Sequence, residues 1–198
     1  ISMKFLNITL FNSLTIFFLT FLLFALSAPS FTQDYKVKKV GKAFSHPWGI
    51  SVFDNDEVLI TERGGDLFKV NIETGSRIKI TNLPEVFNVR QGGLLDVLID
   101  KESVSERNVY ICYSSKVSGG SSTTLMAGTL REDKLISKKI LFKSNNVSES
   151  GVHFGCRLAI LGDQIFMSIG DRGNRYEAQD ANSHAGSVIR VNKYDGST

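Results

Sequence analysis

His153 and Asp171 are the residues whose types and placement point most directly to a reaction, because an imidazole beside a carboxylate is the hardware of general-base catalysis. Both fall in residues 150–174. Residues 152–160 read as a strand entered through His153, 162–164 as a tight turn, and 165–169 as a second strand that delivers Gly170 and Asp171. A hairpin returns the chain to near its starting end, so the pattern predicts that His153 and Asp171 meet at one rim. Arg157 follows His153 by four residues. On an alternating strand it shares a face with His153, and it reads equally as a contact to a ligand there or as an ion-pair partner beneath the site.

The elements that must position this pair are short strands. Tyr35 to Val40 alternates as one strand, and from Trp48 onward apolar runs of about six residues are separated by Asp54-Asn55-Asp56, Gly64-Gly65 and Glu73-Thr74-Gly75, the punctuation of tight turns. A second set of strands covers 93–99, 108–114, 123–130 and 134–142, and a third begins at His153. The sets start near Trp48, Gly93 and Phe154, about 45 and 60 residues apart, which approaches the period of propeller blades. Helical periodicity is absent after residue 30. The pattern predicts an all-β chain of stacked four-stranded units: a β-propeller of which two and a half to three blades are visible, with the fold expected to continue past Thr198.

Composition bounds the rest. With 42% hydrophobic and 22% charged residues in 198, the chain can bury a sizeable core. Residues 14–26 form an almost unbroken apolar run behind a single cation, Lys4, and the small residues Ala25, Ser27, Ala28 and Ser30 follow, so residues 1–30 read as a secretory signal, with an uncleaved anchor as the alternative. This predicts a periplasmic or secreted body at 35–198, and membrane attachment only if the segment is retained. A formal charge of +3, or +2 without Lys4, dispersed among acids, argues against a nucleic-acid partner. Cys112 and Cys156 lie in apolar strand-like runs and read as two free buried thiols, pairing being the alternative in an oxidising compartment. Neither forms a zinc spacing. Asn146-Val147-Ser148 fits a glycosylation acceptor and reads as a surface loop.

Four blocks stand at predicted strand entrances: His46-Pro47-Trp48-Gly49; Gln91-Gly92-Gly93-Leu94-Leu95-Asp96; His153-Phe154-Gly155-Cys156-Arg157-Leu158; and Gly170-Asp171-Arg172-Gly173. Alone, each has a bland reading, and His46 with Trp48 reads as packing at the start of a blade. In this order and spacing, with Thr61-Glu62-Arg63-Gly64-Gly65 and Ile189-Arg190-Val191-Asn192 between and after them, they resemble the glucose/sorbosone dehydrogenase family of quinoprotein sugar dehydrogenases over about residues 44–196. The resemblance implies a six-bladed propeller, pyrroloquinoline quinone and calcium as cofactors, an aldose as substrate, and an unidentified electron acceptor. It implies that His153 takes the proton of the anomeric hydroxyl as hydride leaves for the quinone, that Asp171 orients His153, and that Gln91 lines the cofactor pocket; Arg157 stays open between a cofactor contact and a structural ion-pair partner.

The sequence departs from the family pattern in two places. Cys156 stands where a small hydroxyl residue is usual, and Ala185-Gly186-Ser187 lacks the lysine that commonly follows that glycine. The cations that bind the cofactor carboxylates, and most calcium ligands, are expected beyond Thr198, so residues 1–198 alone are expected to be inactive. Two rivals remain at this level: a non-catalytic exported propeller that binds a sugar or protein, and a lactonase-type propeller, for which Asp96 and Asp171 are the only carboxylates at strand entrances.

Overall fold

The computed structural model describes residues 35–103 and 107–198. The chain divides into two compact units, residues 1–39 and 40–198. Of the first, only 35–39 are described, and they form no regular element. The strand expected from Tyr35 to Val40 is therefore absent: Tyr35 is 81% and Val37 98% exposed, so the alternation buries no apolar face. The apolar run at 14–26, and with it the expected signal segment, lies outside the described residues. Among the described residues no helix is long and apolar enough to cross a membrane.

The second unit is built from three antiparallel meanders. The first comprises β1 (Pro47–Val52), β2 (Glu57–Glu62), β3 (Asp66–Asn71) and β4 (Arg77–Lys79). The second comprises β5 (Leu94–Ile99), β6 (Arg107–Val117), β7 (Gly120–Arg131) and β8 (Lys134–Lys143). The third comprises β9 (Gly155–Leu161), β10 (Gln164–Ile169) and β11 (Val188–Asn192). In each sheet the strands pair in chain order. The first strands are neighbours, β1 packing on β5 and β5 on β9. Apart from one 3-10 turn at Glu177–Gln179, the regular structure described is all strand.

The sequence pattern follows from which faces are covered. On β5 and β6, Leu94, Val97, Ile99, Val109, Ile111 and Tyr113 turn toward the first sheet and pack with Leu59 and Leu67. Leu95, Tyr110 and Cys112, on the alternate positions, turn toward the third sheet and pack with Leu158, Ile165 and Met167. The middle sheet is thus apolar on both faces and reads as nearly continuous hydrophobic runs. The outer sheets each keep one open apolar face, where Ile50 is 63% and Leu161 74% exposed.

Three expectations are corrected here. Cys112 and Cys156 are bonded to each other, with Cα atoms 5.6 Å apart, and are not free thiols. Both are fully buried, and β6 and β9 present them from opposite sides of the same apolar layer. The loop at 145–149 lies at the surface, with Asn145 and Val147 exposed, but Asn146 itself is turned inward: it is 4% exposed, and its side-chain amide donates to the Gly170 carbonyl at 3.5 Å. Its burial removes it as a glycosylation acceptor in the folded chain. His46 does not pack at the start of β1 but lies exposed, its ring nitrogen Nδ1 meeting the Ser45 hydroxyl at 3.3 Å.

Candidate active site

His153 and Asp171 meet. Nδ1 of His153 lies 2.7 Å from Oδ1 of Asp171, with the imidazole 55% and the carboxylate 27% exposed. Oδ1 also accepts the Gly173 backbone N–H at 2.9 Å. The Gly173 bond and, after it, the His153 bond hold the Asp171 carboxyl below its ordinary range, so it is ionised at neutral pH. An ionised carboxylate can only accept, which places the proton on Nδ1 and leaves the lone pair on Nε2. Among the described residues nothing bonds to Nε2.

The hairpin that joins the two is β9–β10, turned through Gly162 (φ 56) and Asp163. The expectation of simple alternation from His153 to Arg157 fails. Leu158 pairs with Met167 but Gly155 with Ile169, so β9 carries one residue more than the strand opposite. His153 (φ 50), Gly155 (φ 73) and Cys156 (φ 81) all have left-handed backbone, and His153 precedes the strand. A bulge of this kind re-aims side chains at a strand end. Gly170 is required at the closure, since a Cβ there would stand 1.9 Å from the His153 carbonyl oxygen.

Gln91 belongs to the same assembly. Its backbone N–H donates to the Gly151 carbonyl at 2.9 Å, and its side-chain Oε1 accepts the His153 backbone N–H at 2.8 Å. The carbonyl end of the amide is thus spent on holding His153, while its NH2 donors remain for a ligand. Arg157 lies elsewhere. Its Nη1 donates to Asp96 Oδ1 at 3.1 Å and its guanidinium stacks on Trp48, 4.8 Å from the ring centroid. Of its two readings, the ion pair is present; the guanidinium is also 61% exposed, so its remaining donors are accessible.

Asp96 is the residue beneath the site that sequence reasoning undervalued. It is 2% exposed on β5, and Oδ2 accepts the Leu158 N–H of β9 at 2.8 Å. Burial raises its pKa, against the lowering effect of Leu158, Arg157 and Val97. On the other side, Gly49 of β1 leaves it room, because a Cβ there would lie 2.7 Å from Oδ1. Asp96 therefore ties β5 to β9, with β1 packed close against it at Gly49, and its oxygens are already engaged. Among the described residues no group of three or more His, Cys, Asp and Glu side chains is placed to hold a metal.

The four sequence blocks are linked physically. The Arg63 N–H donates to the His46 carbonyl at 3.1 Å and Leu94 N–H to the Arg63 carbonyl at 3.0 Å; Gln91 then reaches His153, and His153 reaches Asp171. Arg172, which carried no role in the sequence reading, is 2% exposed at the centre of the last block. An arginine between Asp and Gly gives no sign in one dimension that it is buried.

The glucose/sorbosone dehydrogenase family profile matches residues 44–198. The chain is 31% identical to the aldose sugar dehydrogenase YliI of Escherichia coli, covering 74% of this chain and 41% of that protein. It is also 31% identical to an uncharacterized Synechocystis protein, covering 80% of this chain and 43% of that one. Among solved structures, a glucose dehydrogenase superposes with a TM-score of 0.76 at 28% identity, over 82% of this chain and 48% of its own. The apo-form of the soluble E. coli aldose sugar dehydrogenase gives 0.71 at 29%, over 77% and 45%. The PQQ-bound aldose sugar dehydrogenase of Streptomyces coelicolor shares the fold, with a TM-score of 0.69 at 22% identity over 81% and 48%. The chain spans less than half the length of these relatives.

Proposed function

The chain belongs to the glucose/sorbosone dehydrogenase family, and from that premise we propose that it supplies the general base of an exported quinone-dependent aldose dehydrogenase built on a six-bladed propeller. The observation that carries this is the 2.7 Å contact between His153 Nδ1 and Asp171, which leaves Nε2 as a proton acceptor on an exposed ring. Pyrroloquinoline quinone is a planar molecule with carboxylate and carbonyl oxygens, and beside His153 the free NH2 of Gln91 would hold an oxygen of that kind, while the exposed guanidinium of Arg157, paired with Asp96, would reach the cofactor only at a greater remove. Among the described residues no cluster of three or more His, Cys, Asp and Glu side chains would hold calcium.

His153 Nε2 removes the proton of the sugar's anomeric hydroxyl, a contribution worth about 10²–10⁴ in rate for a positioned base. Asp171 holds the imidazole in the required tautomer and stabilises the imidazolium that results. Gln91 fixes the backbone from which His153 projects. Pyrroloquinoline quinone, held by Gln91, would supply the hydride acceptor and the redox chemistry. Export is supported by the apolar run behind Lys4 and by the Cys112–Cys156 bond, since disulfides persist in oxidising compartments.

The test uses the full-length protein, reconstituted with pyrroloquinoline quinone and calcium and supplied with aldoses and a dye acceptor. Dye reduction is expected in the parent and a loss of about 10²–10⁴ in kcat in His153→Ala. Undiminished turnover in that variant would overturn the assignment of the base.

A further inference from the structure

We propose that Arg172 is the positioning residue of the His153–Asp171 pair, a buried guanidinium that fixes the segment leading into His153 from one side while Gln91 fixes it from the other. The proposal rests on the general-base reading above for its catalytic consequence, but its geometry stands alone.

Residues 148–154 are contacted on one side by Arg172 and on the other by Gln91. Arg172 Nη2 donates to the Ser148 carbonyl at 3.3 Å, the Ser150 hydroxyl donates to the Arg172 carbonyl at 2.6 Å, Arg172 Nε donates to the Val152 carbonyl at 2.9 Å, and the Phe154 ring lies under the guanidinium with its centroid 3.7 Å away. The intervening residues face the other way: the Gly151 carbonyl and the His153 N–H both bond to Gln91. The Arg172 side chain thus holds the backbone at Ser148 and Val152 and stacks on Phe154, while Gln91 holds Gly151 and His153, so the segment from which the imidazole projects is gripped from two sides. The same arginine holds the second member of the pair, because it follows Asp171 directly and its own N–H donates to the His153 carbonyl at 3.3 Å.

The anchor on the far side is Ser121 of β7, whose carbonyl accepts from Nη1 and whose hydroxyl accepts from Nη2, each at 2.9 Å. Every acceptor is neutral, and among the described residues Arg172 makes no salt bridge. A stability role alone does not call for such an arrangement, since a buried cation without a counter-ion is costly to desolvate. Burial accordingly pushes the Arg172 pKa down to about 10. What the guanidinium provides is a rigid planar fork that addresses Val152, Ser121 and Ser148 at once and stacks on a ring. Lysine, a point charge with no plane, cannot reproduce this.

The experiment compares the full-length protein with its Arg172→Lys and Ser121→Ala variants by two readouts. In 15N-histidine-labelled protein, the Nδ1–H resonance of His153, assigned by its loss in His153→Ala, reports the bond to Asp171 without any cofactor. In the reconstituted enzyme, kcat and KM report positioning at the reacting atoms. Arg172→Lys is expected to fold, to lose the Nδ1–H signal, and to lower kcat by about 10² with little change in KM, the size expected of a misplaced catalytic group. A folded Arg172→Lys protein with the signal in place and parental kcat overturns the proposal. Should that variant not fold, Ser121→Ala decides: it keeps the guanidinium but removes one acceptor, a shifted or broadened signal supports the proposal, and an unchanged one overturns it. If the parent shows no dehydrogenase activity, the functional reading falls while the resonance still decides the role of Arg172.

Discussion

At the scale of the residue, two carboxylates with opposite surroundings divide the work. Asp171 is partly open, accepts the Gly173 and His153 bonds, and has a lowered pKa, whereas Asp96 is buried and has a raised one. Asp171→Asn is expected to lower kcat by roughly 10²–10⁴, because an amide can donate to Nδ1 and hold the imidazole in the tautomer that has no lone pair on Nε2. The stability consequence has a definite sign. A carboxyl whose pKa is depressed by folding stabilises the native state above its unfolded value, near 3.8, and that contribution is lost as pH falls through the folded value. Denaturant titrations of the parent and Asp171→Asn should therefore differ at pH 7 and converge as the pH drops below that range.

At the scale of the element, the hairpin β9–β10 is shaped by its irregularities. The additional residue in β9 and the left-handed backbone at His153, Gly155 and Cys156 turn His153 out of the strand alternation and toward Asp171. Closure depends on Gly170, whose Cα side faces the His153 carbonyl with no room for a methyl group. Gly170→Ala is expected to destabilise the fold by about 3 kcal/mol, since backbone cannot move aside as a side chain can. Its chemical denaturation midpoint checks this, and its activity should fall with the displaced His153. The strands were legible as alternating apolar runs, and turn residues marked most boundaries. The bulge was not, because a single inserted residue leaves the local composition unchanged.

At the scale of the whole described body, sheets are joined by links that differ at the two ends. Near the site, the Cys112–Cys156 bond ties β6 to β9 three residues beyond His153. Closing a loop over a separation of 44 residues is worth about 4 kcal/mol in the chain-entropy account. The Cys112→Ala/Cys156→Ala double variant is expected to lose about 2–4 kcal/mol, read from denaturant unfolding. At the opposite end, the Lys193 ammonium, 3% exposed, bridges Asp100 at 3.1 Å, Glu102 at 3.5 Å and Asp163 at 3.6 Å. Burial alone would lower its pKa, but the hydrogen bond and charge of Asp100 outweigh it and raise it.

The sequence by itself determined the strand-rich class, the grouping of strands into successive sets, and the meeting of His153 with Asp171, because alternation and tight turns are local and a hairpin brings its own ends together. Gln91 was placed near them by resemblance. Only the tertiary structure decided that Gln91 grips the His153 backbone, that Arg157 pairs with Asp96, that the cysteines are joined, and that Arg172 lies buried under the site. Each of these depends on how one sheet faces the next, a relation between residues far apart in the chain that no local spacing encodes.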